Sequence, residues 1–271
     1  MVQQNNRAIF NLNVKKFRKQ FLGRATYRGI LSVILFILFW EFATWVKMPI
    51  IGAIPPPHSV VASLGALIQD SYYWESWLVS FKRVFMGFIV AQIVGIPLGL
   101  MMGLSRHFRD LSFPIIEVLR PIPPLAWVPT AVIFWPTPEM SITFVTFLGA
   151  FFTMVLNILG GVKNVDIRYV RAARSLGSSN RDIFWRIVFP ATLPSLFTGM
   201  TVGMGITWEV VVAAEMIASR SGLGFLTWKS YVAGDYPAIV IGMISIGVAG
   251  YISSSFIRLL GGRFTPWLKI I

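Results

Sequence analysis

Five stretches of this chain are long, apolar and almost free of charge. Val84–Leu104, Met140–Val162, Ile187–Trp208 and Tyr236–Ile257 contain no charged residue, and Ile30–Val46 contains only Glu41. A helix needs roughly 20 apolar residues to cross a bilayer, so each block predicts a spanning helix. A sixth block, Phe113–Trp135, is apolar but carries Glu117, Arg120 and a run of prolines. The pattern predicts an all-α polytopic protein with about six spans. A membrane domain covers 30–262, after a basic tail 1–29 and before a short tail 263–271.

Composition supports this. Hydrophobic residues are 55% of the chain and charged residues 13%, against about 25% charged in soluble domains. The net charge of +13 would suggest nucleic acid if it formed a patch, but it follows topology instead. Seven basic residues precede the first span, Arg106 and Arg109 follow the second, and six lie between Lys163 and Arg186. Arg258, Arg263 and Lys269 close the chain, which puts eighteen of the 24 Lys and Arg on one side. Lys47, Lys82, Arg83, Arg220 and Lys229 fall on the other. Basic loops face the cytoplasm, so both termini are expected there, and nucleic acid is not expected as a partner.

Chemistry of the chain's own is hard to find. There is no cysteine, and His58 and His107 stand alone, so neither a thiol site nor a metal site is expected. No phosphate-binding loop occurs, and Gly222-Leu223-Gly224 is too short for a dinucleotide fingerprint. No cofactor and no catalytic site are expected in this chain. Gly95, Gly99 and Gly103 repeat every fourth residue, as do Gly199 and Gly203, a spacing that lets helices approach closely in lipid.

Two spans look specialised. Arg120-Pro121-Ile122-Pro123-Pro124-Leu125-Ala126-Trp127 cannot form one regular helix, because proline lacks an amide donor and clashes with the preceding turn. Broken helices at membrane depth mark transport pathways; a structural kink is the other reading. Arg120 either faces a cavity with Trp127 or pairs with Glu117 on the same helical face. The fifth span runs into Trp208-Glu209, then Glu215. Glu209 and Glu215 are about 240° apart around a helix and do not share a face. Carboxylates inside apolar segments face a cavity or a partner; Glu215 at an outer interface, paired with Arg220 or Lys229, is the alternative. The candidate pathway residues are Arg120, Pro124, Trp127, Trp208, Glu209 and Glu215.

The charged stretch after the fourth span predicts a helix-turn-helix outside the membrane. Asp166 starts the first helix and Gly177 permits a turn with Ser178, Ser179 and Asn180. Asp182 opens a second helix that runs to Pro190. Arg171, Ala172, Ala173, Gly177, Ile187 and Pro190 lie here in a spacing that resembles the E-A-A-x3-G-x9-I-x-L-P loop of ATP-binding-cassette importer permeases. Arg171 stands where that loop carries Glu, and Phe189 where it carries Leu. The run from Arg120 to Trp127 resembles R-P-[IV]-P-P-L-A-W of the taurine, alkanesulfonate, nitrate and bicarbonate permeases. Val212–Ile217 and Ser221-Gly222-Leu223-Gly224 are similar to their V-A-A-E-[ML]-[IV] and S-G-[IL]-G. Arg263-Phe264-Thr265-Pro266-Trp267 resembles the end of taurine permeases.

The resemblance implies a homodimeric, multi-pass pore subunit of the bacterial inner membrane. It implies cytoplasmic ATPase partners that bind ATP and Mg, and a periplasmic or lipid-anchored substrate-binding protein. The loop 163–187 would be the ATPase-coupling element, with Ser178, Ser179 and Asp182 shaping its turn. The implied cargo is a small anion or zwitterion, taurine or an alkanesulfonate first, nitrate or bicarbonate next. A self-contained secondary transporter is the rival reading. It needs coupling-ion carboxylates and paired internal repeats, and no convincing inverted repeat is visible.

Overall fold

The computed structural model describes residues 24–49 and 51–267. The basic residues Arg7, Lys15, Lys16, Arg18, Lys19 and Lys269 lie outside them. Contacts divide the chain into two units, 1–65 and 66–271. In the first, α1 spans Arg24–Trp45 and exposes apolar side chains all round, among them Leu31, Ile34, Leu35 and Leu38. Helix α2, Pro57–Leu67, begins here. Glu41, the lone charge between Ile30 and Val46, lies 2.7 Å from His58 Nδ1, so His58 is held by a carboxylate.

The second unit is built on three long helices: α3 (Ser71–Leu104), α6 (Pro138–Lys163) and α8 (Asn180–Ala218). Helix α6 is the most buried of them and packs against both others. Phe88, Ala91, Val145, Met204 and Val211 meet in its core. The glycine spacing has a direct cause. A methyl group on Gly99 would lie 2.8 Å from Ile158 Cβ, and on Gly103 2.6 Å from Val162 Cβ. Neither position admits a side chain at this separation of α3 and α6. Helices α9 (Leu223–Ala233) and α10 (Tyr236–Phe264) close the unit.

The proline-rich span is broken, as expected. Helix α4, Arg106–Leu119, and a second segment, Pro124–Phe134, meet at a bend of 85°. The second segment is a 3-10 turn, Pro124–Trp127, followed by α5, Val128–Phe134. Among the described residues five helices are long and apolar enough to qualify as spans, or six if the bent pair is one.

Two boundaries differ from the sequence reading. Helix α3 starts at Ser71, capped by Asp70, thirteen residues before the uncharged block, so Lys82 and Arg83 are helical. Helix α8 does not end at Pro190. It passes through a π-helical turn, Phe184–Val188, where Phe189 N–H reaches back to Phe184 O. The wider turn loosens the helix just before the proline, whose ring would crowd a regular one.

Candidate functional site

The hairpin after α6 forms, but its second helix starts at Asn180 with Ser179 as its cap, where the sequence pattern places both in the turn and lets Asp182 open the helix. Asp166 caps α7, Ile167–Ser175, accepting from the Arg168 N–H at 2.8 Å and from Arg168 Nε at 2.8 Å. The Arg168 side chain first, and its N–H second, hold the Asp166 carboxyl below its usual range. The helix ends in a Schellman motif. Ser178 N–H donates to Ala173 O and Gly177 N–H to Arg174 O, both at 3.0 Å. Gly177 has φ +80°, the left-handed region glycine enters without cost. Ser179 then caps α8, accepting from Asp182 N–H at 3.2 Å while its hydroxyl donates to Asp182 Oδ2 at 2.5 Å.

No side chain of α7 is buried. Leu176 at the turn is 86% exposed, and Ile167, Tyr169 and Trp185 are exposed beside it. Arg171 and Ala172 are exposed, Ala173 and Ile187 half-buried. The first arm of the hairpin, α7, is unpacked against its own chain, while Ile183 of the second arm is buried. The hairpin's exposed apolar residues stand in sequence among Arg168, Arg171, Arg174, Arg181 and Arg186.

At the other end of α8 lies a buried polar network that the sequence reading missed. Arg83 is 2% exposed and Glu215 is 0% exposed. Arg83 Nη1 donates to Glu215 Oε1 at 2.9 Å and to Ser221 O at 2.8 Å. Its Nε donates to Glu139 Oε2 at 2.8 Å, and its Nη2 also pairs with Glu139. Ser80 Oγ donates to Glu215 Oε1 at 2.8 Å and accepts from Leu223 N–H at 2.8 Å. Gly224 N–H donates to Glu215 Oε2 at 2.9 Å. The partner of Glu215 is therefore Arg83, and neither Arg220 nor Lys229. The charge on α3 was placed in a loop, and it lies inside the bundle.

The network explains two motifs at once. A side chain on Gly222 would run into the Glu215 carboxylate, and one on Gly224 into the Val212 carbonyl. The glycines after α8 thus let the loop fold over the carboxylate. A signal for Arg83 was present: Tyr73, Ser76, Ser80 and Arg83 are all buried, at helical steps of three and four on one face of α3.

The other candidates are not gathered into one site. Arg120 Nη2 donates to Glu117 Oε1 at 2.8 Å, with both side chains about half exposed. Pro124 is half-buried in the break. Trp127 is half-buried, and its Nε1 is buried without a partner. Trp208 is 3% exposed, donates from Nε1 to Ser253 Oγ at 3.3 Å, and meets Phe81 edge-on, so it sits in the core. Glu209, next to it, is exposed. No group of three or more His, Asp or Glu suited to a metal ion occurs among the described residues.

Residues 95–270 match the family described as binding-protein-dependent transport system inner membrane component. A putative ABC transporter permease protein of Methanocaldococcus jannaschii is 37% identical, covering 88% of this chain and 90% of its own. The taurine transport system permease protein TauC of Escherichia coli is 34% identical over 88% of each. The MetNI methionine ABC transporter, solved facing inward, is similar in fold. Its TM-score is 0.51 at 17% identity, covering 69% of this chain and 93% of that one.

Proposed function

We propose, from the premise that this chain belongs to the binding-protein-dependent transport system inner membrane component family, that it couples ATP hydrolysis by partner subunits to alternating access for a small zwitterion or anion. The chain is an ABC importer permease subunit and a multi-pass inner-membrane protein. The ATPase partners hold ATP and Mg, and an external binding protein delivers the cargo. Two copies of the chain form the pore, with both termini cytoplasmic. Residues 30–262 make the permease domain between the two tails. Taurine or an alkanesulfonate is the first choice of cargo, on the similarity to TauC.

The observation that carries this reading is the continuity of α8. The exposed hairpin enters a helix that continues from Asn180 through the π turn to Ala218, about 58 Å at 1.5 Å per residue. That helix also carries Glu209 and Glu215. A push on the hairpin is passed along one covalent rod to the far side of the bundle. Closure of an ATPase pair then moves the permease between inward-open and outward-open states by rigid-body switching. The hairpin carries Arg168, Arg171, Arg174, Arg181 and Arg186, so the receiving groove on the ATPase should be acidic with an apolar floor for Leu176.

Cysteine cross-linking tests the docking surface, against a background with no native cysteine. Leu176→Cys or Ser178→Cys should cross-link to the ATPase; Ser179 is left in place because it caps α8. Cross-linking from Arg106 or Arg109 positions, with none from the hairpin, would contradict the assignment.

A further inference from the structure

The outward faces of the second unit are not alike. Along α3, from Phe85 to Val94, the exposed positions are Phe85, Met86, Ile89, Val90, Ile93 and Val94. Along α10, from Met243 to Phe256, they are Met243, Ile244, Gly247, Val248, Tyr251, Ile252 and Phe256. Both suit hydrocarbon. Along α8, from Thr198 to Glu209, they are Thr198, Val202, Gly205 and Glu209, at steps of four, three and four, which is one stripe of a helix. Helices α3, α6 and α10 pack on other sides of α8 and leave this stripe open. Glu209 lies nine residues before the helix end at Ala218, about 14 Å along the axis. Among the described residues it forms no ion pair. A carboxylate at such depth is costly against lipid and faces water or a cation.

We propose that this stripe of α8 faces a water-filled cavity closed by a second copy of the chain, where Glu209 receives a cationic group of the substrate. The proposal rests on the importer reading and narrows its cargo. Two-fold symmetry brings the same residue of each copy to one cavity. Two carboxylates there repel a simple inorganic anion and attract an ammonium group. The substrate class selected is a small zwitterion with an ammonium group. Nitrate and bicarbonate lack one.

The test reads the local field first. A side chain added at Gly205 meets nothing within 4 Å, and this position is one turn before Glu209. Gly205→Cys is labelled in membranes holding the whole importer, with a cationic and an anionic water-soluble thiol reagent, each rate normalised to a free thiol. A unit charge about 6 Å away in water changes each rate about threefold in opposite directions, so the cation-to-anion ratio should be about tenfold. The ratio should fall to near one with Glu209→Gln and persist with Glu209→Asp. Uptake is then compared for an aminosulfonate and the matched alkanesulfonate without the amine. Glu209→Gln should lower the first about tenfold, the worth of one lost charge-assisted contact, and should not lower the second, whose anionic group is relieved of repulsion. A cysteine at 205 unreactive to both reagents, a ratio indifferent to Glu209, or equal loss for both substrates overturns the proposal. Absence of ATP-driven uptake by the unsubstituted importer instead counts against the importer reading, and the labelling ratio is read without it.

Discussion

Replacing Arg83 by methionine keeps an unbranched stem about as far as the Nε position and removes a guanidinium on a side chain that is 2% exposed. Glu215 keeps Ser80 Oγ and Gly224 N–H as donors but loses its counter-charge, and the loop carbonyl of Ser221 loses its donor. Two unit charges about 4 Å apart at an effective dielectric of 20 attract by about 4 kcal/mol. Desolvation of both ions takes most of that back, so the intact pair is worth little net. Stranding one partner is different, and costs about 3–5 kcal/mol. Arg83→Met should therefore destabilise the chain by that amount. Adding Glu215→Gln removes the stranded charge and should recover about half of it or more. The assay is equilibrium unfolding of the purified importer in detergent, followed by the fluorescence of the chain's 10 tryptophans, run as a double-mutant cycle. A loss under about 1 kcal/mol for Arg83→Met, or an additive double mutant, would refute the claim that this pair fastens α3 to α8 and the loop after it.

Gly177→Val places a β-branched residue at φ +80° with open space around it, so backbone strain alone, about 1–3 kcal/mol, acts; membrane insertion should persist while ATPase co-purification and transport are lost, and Gly177→Asn should retain both. Gly222→Ala meets strain at φ +109° and a clash with the Glu215 carboxylate, so its melting temperature in detergent should fall at least as far as that of Arg83→Met; an unchanged melting temperature would mean that the loop does not fold over the carboxylate.

Much of the architecture was legible in the chain because lipid imposes simple demands. Uncharged blocks of spanning length became helices, and prolines 121, 123 and 124 broke the third span, since no hydrogen bonding could carry a regular helix through them. The hairpin was legible because Asp166 and Gly177 are local devices that act within a few residues; the cap of its second helix is Ser179 rather than Asp182 because the Ser179 hydroxyl already takes the Asp182 N–H. The Arg83 network was not. Its ion pairs join residues 56 and 132 positions apart, and no local signal encodes such pairing. Counting Arg83 with the loop charges hid it, although Ser76, Ser80 and Arg83 shared a face with Tyr73. The end of the second hairpin helix was misjudged for a different reason: Pro190 reads as a stop, and a π turn ahead of it supplies the room a regular helix lacks. Trp208 was grouped with Glu209 by adjacency, but neighbours on a helix point about 100° apart, and one entered the core while the other stayed outside.

The most direct test of coupling is uptake by proteoliposomes that hold this chain with its ATPase partner, with the binding protein supplied outside. Labelled taurine should accumulate only with ATP inside, and Gly177→Val should abolish it; the chain without the ATPase should accumulate none. Accumulation by the chain alone, driven by a proton or sodium gradient and indifferent to ATP, would contradict a pore worked by partner ATPases.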